Sequence, residues 1–283
     1  MESKPKRLMF PYPGSKWTLA PKYVKLFPSH SIYVVPFVGS AAEFAVKEPS
    51  KREVVNDIDG NVYSVFAVLR DKRLFKELIY LLRNTTNDRR HYYECHDRLR
   101  FEKNLSILDR AYNFLSIANL GYQGVHPTET RSYSCGLLKK ASRLRTLIPA
   151  LKAWRNRMRN VECENRDAFE IIDIYDSDKT LFIMDPPYHE STRRSHIYAH
   201  DNFDHRKFLK QIQRLKGKAF VCGYENGLYD VQLQGWRKIV FPTTKSIGGR
   251  APRTEIAWLN YDINGQKIKQ DFGLIKAFER LPA

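Results

Sequence analysis

Asp185, Pro186, Pro187 and Tyr188 close the stretch Phe182–Tyr188, FIMDPPY, in which an apolar run of strand type ends on an acid, two prolines and an aromatic ring. Proline fixes its own φ and restricts the residue before it, so this turn is stiff. It offers the Asp185 carboxylate and the Pro186 carbonyl as two acceptors in fixed relation. An aryl amine is a poor nucleophile because its lone pair is delocalised into the ring. Two acceptors holding its two hydrogens favour a pyramidal nitrogen and stabilise the positive charge that develops as it attacks a methyl group. Tyr188 adds a flat face on which a base can stack, worth about 1–3 kcal/mol per base. An ordinary strand ending in a Pro-Pro turn explains neither the acid before the prolines nor the ring after them.

Such a group needs a sheet to carry it. SIYVVPFVGSAAEFAV reads as an apolar strand, a tight turn of small residues and a helix start. REVVNDIDGNVYSVFAVLRD repeats the pattern, with a strand at Glu53–Val55, Asn56-Asp57 at its end and a helix from about Asn61. Two strand–turn–helix units in succession predict a parallel, doubly wound sheet, whose ligands gather at the carboxyl ends of the strands. From about Lys72 to Arg159 the periodicity is helical, broken by NLGYQGVHPTETRSYSCG, a Gly- and Pro-bearing polar stretch that predicts an exposed loop or hairpin. Strand patterns resume with VECEN, TLFIMDPPY, KAFVCGY, WRKIVFP and TEIAWLNY. The expected fold is a mixed, mostly parallel α/β sheet built from residues 1–71 and 160–283, with 72–159 as an inserted helical and hairpin region.

The 283 residues carry 48 Lys+Arg against 31 Asp+Glu, a net charge of +17, which points to a polyanionic partner, nucleic acid first. Between Lys139 and Arg159 there are eight Lys/Arg and no acid. A solvated helix face usually mixes signs, so Lys139, Lys140, Arg143, Arg155 and Arg157 are expected to face phosphates. A hydrophobic content of 42% supplies a core and excludes wholesale disorder. Cys95, Cys135, Cys163 and Cys222 are scattered and, with no signal peptide, read as reduced thiols of a cytoplasmic protein. His91, Cys95 and His96 lie close together, but no second ligand pair follows at zinc spacing, so no metal is expected. No apolar run approaches the length of a membrane span.

DPPY after an apolar strand, with the other motifs in this order, resembles the Dam-like (D12 class) adenine-specific DNA methyltransferases, particularly their phage-type branch, from about Phe10 to Tyr261. The resemblance implies a Rossmann-like methyltransferase sheet with the inserted region recognising DNA. The family's GGK element stands here as Pro13-Gly14-Ser15-Lys16, just after Tyr12. Gly14 would let the backbone approach a ligand closely and Lys16 would neutralise a carboxylate. The loop EPFxG stands as Val35-Pro36-Phe37-Val38-Gly39, followed by Ser40-Ala41-Ala42, small residues against which the methionine part of S-adenosylmethionine (SAM) would lie. Val35 replaces an acid and so removes one partner for the cofactor's cationic groups. Asp57, with Ile58 beside it, matches the acid that holds the ribose hydroxyls, two acceptors for two adjacent donors; helix capping by Asp57 or Asp59 is the plainer alternative. Asp167 takes a place near the cofactor's adenine. ANLGYQGVHP resembles the family's hairpin that enters DNA, with Tyr122, Gln123 and Val125 to stack, contact a base and wedge. A glycine-rich loop of no function fits the same residues. Lys245, Arg250 and Arg253 look like a basic loop for phosphates, and Tyr198 and His200 like closers of the base pocket.

The function so implied is methyl transfer from SAM to the N6 amine of an adenine flipped out of duplex DNA. It needs no metal and is carried by a monomer, bacterial or phage-encoded and acting at the nucleoid. Asp185, Pro186, Pro187 and Tyr188 are the catalytic residues. The rivals are an RNA adenine or cytosine-N4 methyltransferase, and a catalytically silent DNA-binding protein whose cofactor affinity was lost with the acid at position 35. The family's cytosine enzymes more often place Ser where Asp185 stands, so Asp favours adenine.

Overall fold

Each apolar run reads out as a strand in the computed structural model, which describes residues 4–86, 88–121, 133, 143–188, 203–241 and 254–263. The strands are β1 (Ile32–Val35), β2 (Arg52–Asn56), β3 (Glu162–Glu164), β4 (Thr180–Met184), β5 (Lys218–Tyr224), β6 (Arg237–Val240) and β7 (Glu255–Leu259). They form one sheet in the order β3-β2-β1-β4-β5-β7-β6. Neighbours from β3 to β5 run parallel, whereas β7 lies antiparallel between β5 and β6. Every residue of β4 and of β7 is buried, as expected of strands covered on both faces. The strand order reverses between β1 and β4, which opens a crevice beyond their carboxyl ends.

Helix starts follow the short polar side chains. Asp59 caps α3 (Gly60–Arg70), Asp71 caps α4 (Lys72–Asn84), Asp88 caps α5 (Arg89–Phe101) and Ser106 caps α6 (Ile107–Leu120), each accepting a backbone N–H of the first turn. Asp167 does the same for α8 (Ala168–Tyr175), Asp204 for α9 (His205–Ile212) and Asn226 for α10 (Gly227–Gln232). Two short helices, α1 (Ala20–Val24) and α2 (Ala42–Val46), and the Pro-initiated α7 (Ile148–Met158) complete the set among the described residues.

Side chains alternate along each strand, so the sheet sorts two cores. Val35, Val55, Leu181, Ile183 and Phe220 face one side, in one buried cluster with Phe75, Phe114, Leu147 and Trp154. Val34, Val54, Phe182, Met184 and Val221 face the other, where Ile171, Phe208 and Tyr229 cover them. The helices of residues 72–159 therefore share a core with the sheet rather than standing off it. Trp154 is fully buried, donates through Nε1 to the Arg7 carbonyl at 2.9 Å and stacks at 6.5 Å on Phe44. Asn119, in the last turn of α6, donates through Nδ2 to the Met9 carbonyl at 3.1 Å and to Leu115 at 2.9 Å.

Candidate active site

Four strand ends meet the crevice: β3 leads to Asp167, β2 to Asp57, β1 to Pro36–Gly39 and β4 to Asp185. They sit on adjacent strands, three steps apart in the sheet, about 14 Å at the usual inter-strand spacing. A cavity of about 340 Å³ runs beside them and is also lined by Tyr12, Pro13, Gly14, Ser15 and Lys16 of the N-terminal loop. Sequence positions expected to hold a cofactor are thus brought to one place: Tyr12, Gly14, Ser15, Lys16, Pro36, Phe37, Gly39, Asp57, Ile58, Asp167 and Asp185 all line it.

The loops are laced together by side chains. Gly39 N–H donates to Asp57 Oδ2 at 2.9 Å and Asp59 N–H to Asp57 Oδ1 at 3.0 Å. Ser40 Oγ donates to Ser15 Oγ at 2.8 Å. Asn56 bonds the Pro36 carbonyl at 2.9 Å and both backbone groups of Arg166, and Asn165 bonds the Asp57 carbonyl at 2.7 Å. Asp57 therefore organises two loops, and the cap of α3 is Asp59, which accepts Asn61 N–H at 2.8 Å. A carboxylate oxygen has a second lone pair, so both Asp57 oxygens can still accept hydroxyls. Asp167 caps α8 through Phe169 N–H at 2.8 Å while lining the cavity. Gly39 has φ 44°, and a Cβ there would sit 3.1 Å from the Tyr12 ring. Ala41, two residues on, is the one non-glycine with positive φ among the described residues.

At the β4 end, Lys16 Nζ lies 2.6 Å from the Gly14 carbonyl, 2.9 Å from Asp185 Oδ2 and 4.0 Å from Glu255 Oε1. Lys16 is buried, so the carboxylate it was expected to neutralise is supplied inside the chain, by Asp185. Asp185 keeps a quarter of its side chain exposed, at the cavity wall. Glu255 is buried at the start of β7, and burial first, then the Asp185 charge, raises its pKa against the opposing pull of Lys16. Glu43 of α2 also lines the cavity, and its carboxyl is pushed up to about 7 by burial and then by Asp185.

Tyr188 departs from the expectation of an open stacking face. It is buried at 5% exposure, its hydroxyl donates to Glu255 Oε2 at 3.1 Å, and its ring meets Tyr224 edge-on at 4.4 Å. Lys16 Nζ stands 4.8 Å over one face. The reason is β7: placed against β5, it brings Glu255 within reach of the phenol. With Pro186 and Pro187 the ring lines a second, much smaller cavity, whose other walls include Cys222, Asn226 and Trp258. The DPP turn thus divides the two cavities.

Sequence reasoning missed Glu43, Glu255 and an aromatic wall. Phe203 stacks on Phe169 at 5.6 Å and meets Phe37 edge-on at 5.5 Å, all three beside the cavity. Each missed acid is a lone charge in an apolar segment, GSAAEFAV and TEIAWL, and that is the signal that could have found it.

The expected phosphate-facing helix is corrected at two positions. The Arg157 side chain is 6% exposed, forks onto Glu53 with Nη2 2.9 Å from Oε1, and lies 3.7 Å over the Phe44 ring. Arg155 donates to the Leu69 carbonyl at 2.7 Å and covers Phe75. Arg157 is turned inward because the acid missing from its own helix comes from β2, 104 residues away, whereas Arg155 is half-buried on a backbone carbonyl and a ring. Arg143 is partly exposed, and Arg145, Lys152 and Arg159 are the exposed cations of that stretch among the described residues. Tyr122, Gln123, Val125, Lys139, Lys140, Tyr198, His200, Lys245, Arg250 and Arg253 lie outside the described residues.

Cys95, Cys163 and Cys222 are free thiols, and burial raises the first two to about 12. Among the described residues no group of His, Cys, Asp and Glu could hold a metal ion, and no helix is long and apolar enough to cross a membrane. Among curated proteins none matches the chain. A sequence profile described as D12 class N6 adenine-specific DNA methyltransferase matches residues 12–222, from Tyr12 at the cavity wall to Cys222 in β5.

Proposed function

The chain belongs to the D12 class of N6 adenine-specific DNA methyltransferases, enzymes that methylate adenine in DNA with SAM as donor, and we propose that the crevice at the β1–β4 switch point is where it does so. The observation that carries this reading is Asp185, held by Lys16 at the open end of β4 beside a cavity lined by the N-terminal loop. The residues present fit the donor. The Phe37–Phe203–Phe169 wall and the exposed Ile58 suit an adenine ring. Asp57 suits the ribose hydroxyls next to it. Gly39 and Gly14 leave room for the amino-acid chain, and Glu43 Oε1, buried without a hydrogen-bond partner among the described residues, suits a cation. SAM, when bound, supplies a methyl group activated by a positive sulfur.

The protein's part is then orientation. The Asp185 carboxylate and the Pro186 carbonyl take the two N6 hydrogens of a flipped adenine and turn the nitrogen lone pair toward the cavity. As the N–C bond forms, the methyl's bond to the sulfonium sulfur breaks and leaves a neutral thioether, and one amine hydrogen leaves as a proton that the Asp185 carboxylate holding it would accept. Lys16 fixes the rotamer of that carboxylate. Tyr188 is a wall of the base site, anchored by Glu255 rather than turned by the substrate. Residues 72–159, with the motif at Tyr122–Val125, are the DNA-recognition region, and residues 1–71 and 160–283 the catalytic part, acting as a monomer.

The test is transfer of labelled methyl from SAM to unmethylated duplex DNA, followed by digestion to nucleosides. Label is expected in N6-methyldeoxyadenosine with the native chain and in no nucleoside with Asp185→Ala. Equal label from the two proteins would remove Asp185 from the reaction.

A further inference from the structure

We propose that Glu43 is an acceptor for the α-ammonium group of the methyl donor. The proposal rests on the reading of the cavity as the SAM site. Among the described residues six carboxylates line the cavity: Glu43, Asp57, Asp59, Asp167, Asp185 and Asp204. Asp57 holds two backbone N–H groups, Asp59, Asp167 and Asp204 cap helices, and Asp185 is paired with Lys16. Among the described residues Glu43 is held by no group of another residue in this way; the backbone bond its carboxylate makes is to its own N–H. It projects from α2, is 8% exposed, and its Oε1 is buried with no hydrogen-bond partner among the described residues.

A buried, unmatched carboxylate is costly, and a cation that brings hydrogen-bond donors relieves it. Val35, at the neighbouring strand end, offers only an apolar wall. Of the two cationic groups of the donor, the sulfonium has no hydrogen to give and the ammonium has three. An orphaned acceptor is satisfied by the second. Without ligand the carboxyl is pushed up to about 7, so near neutrality much of it carries a proton that an arriving ammonium displaces. The charged and titratable groups that act on it are Asp185, Lys16 and Glu255, with Tyr23, Tyr33 and Cys222. The Tyr23 and Tyr33 hydroxyls also lack partners among the described residues. A water shared by the three is thus the competing use of Glu43.

Calorimetric titration of the full chain decides between them, using SAM, S-adenosylhomocysteine and methylthioadenosine against native protein and Glu43→Gln. S-Adenosylhomocysteine keeps the ammonium and lacks the sulfonium charge; methylthioadenosine lacks the amino-acid end. The expected result is a loss of about 10- to 100-fold for SAM and S-adenosylhomocysteine alike, with methylthioadenosine unchanged. Native protein should also release a proton on binding SAM at pH 6.5–7, read from buffers of different ionisation enthalpy, and the Gln variant should not. The native measurement stands even if the variant fails to fold: no proton release overturns the proposal. Unchanged SAM affinity in Glu43→Gln overturns it in favour of the shared water. A loss confined to SAM overturns it in favour of the sulfonium. If native protein binds none of the three, the cavity reading itself fails and takes this proposal with it.

Discussion

Lys16 Nζ and Asp185 Oδ2 stand 2.9 Å apart across 169 positions of sequence, joining the N-terminal loop to the turn after β4. The pair makes the geometry of the reacting carboxylate depend on a distant segment. Asp185→Ala should therefore lower single-turnover transfer by at least about 10²–10³-fold, while stability and DNA affinity change little, because Glu255 remains beside Lys16. Near-normal turnover would sink the amine-grip mechanism.

Lys16→Met asks a different question. It leaves Asp185, Glu255 and Glu43 near one another with their shared cation gone. Removing one member of a buried ionic group costs about 3–5 kcal/mol, and a denaturant titration should show a midpoint shift of that size. A midpoint within error of native would mean the cluster is solvated well enough to need no counter-charge.

Arg157 yields a prediction opposite to the one its sequence context suggests. Arg157→Ala strands Glu53 beside Lys47 alone, a buried carboxylate with half its compensation gone. Stability should fall by about 3 kcal/mol or more, and the salt dependence of DNA binding should stay as it was. A flattened salt slope would return Arg157 to the phosphate surface.

Glu43 makes stability depend on pH with a definite sign. Its carboxyl titrates near 7 in the folded protein and near 4.5 when exposed, so the fold favours the protonated form. The stability this contributes is complete below about pH 4.5 and is lost as pH rises through 7. Glu43→Gln lacks that loss. Its advantage over native protein should grow between pH 5 and 7.5, by on the order of 3 kcal/mol at most. Glu255 drifts the same way but is common to both proteins. Parallel melting-temperature curves across that window would show Glu43 charged throughout.

Gly39→Ala tests the turn after β1. At φ 44° a side chain is strained, and its Cβ would press the Tyr12 ring at 3.1 Å. Stability should drop by about 1–2 kcal/mol, and SAM affinity should drop with it as Tyr12 is displaced along the cavity wall. Unaltered affinity would mean that Tyr12 yields away from the ligand.

The elements were legible because their signals are local. IYVV, TLFIM and EIAWL announce strands by β-branched and aromatic runs, and Asp59, Asp71, Ser106 and Asp167 announce helix starts by capping chemistry. The strand ends carrying Gly39, Asp57 and Asp185 followed from the doubly wound pattern. What stayed hidden depends on pairing between distant segments. Nothing local to TEIAWL says that β7 runs antiparallel between β5 and β6, so neither the burial of Tyr188 nor its bond to Glu255 could be foreseen. The same holds for Arg157, whose counter-ion is on another strand. A charge run shows where cations are in the chain, not which of them the fold turns inward.

The bond from Asn119 to the Met9 carbonyl has a mechanical meaning. Asn119 lies at the start of ANLGYQGVHP, the stretch resembling a DNA-entering hairpin, and Met9 stands three residues before Tyr12, where the cavity-lining loop begins. Two stretches expected to hold different molecules are thus joined by a side-chain amide, beside the edge-on contact of Phe10 with Phe114 at 5.2 Å. They share an anchor as two ropes share a cleat.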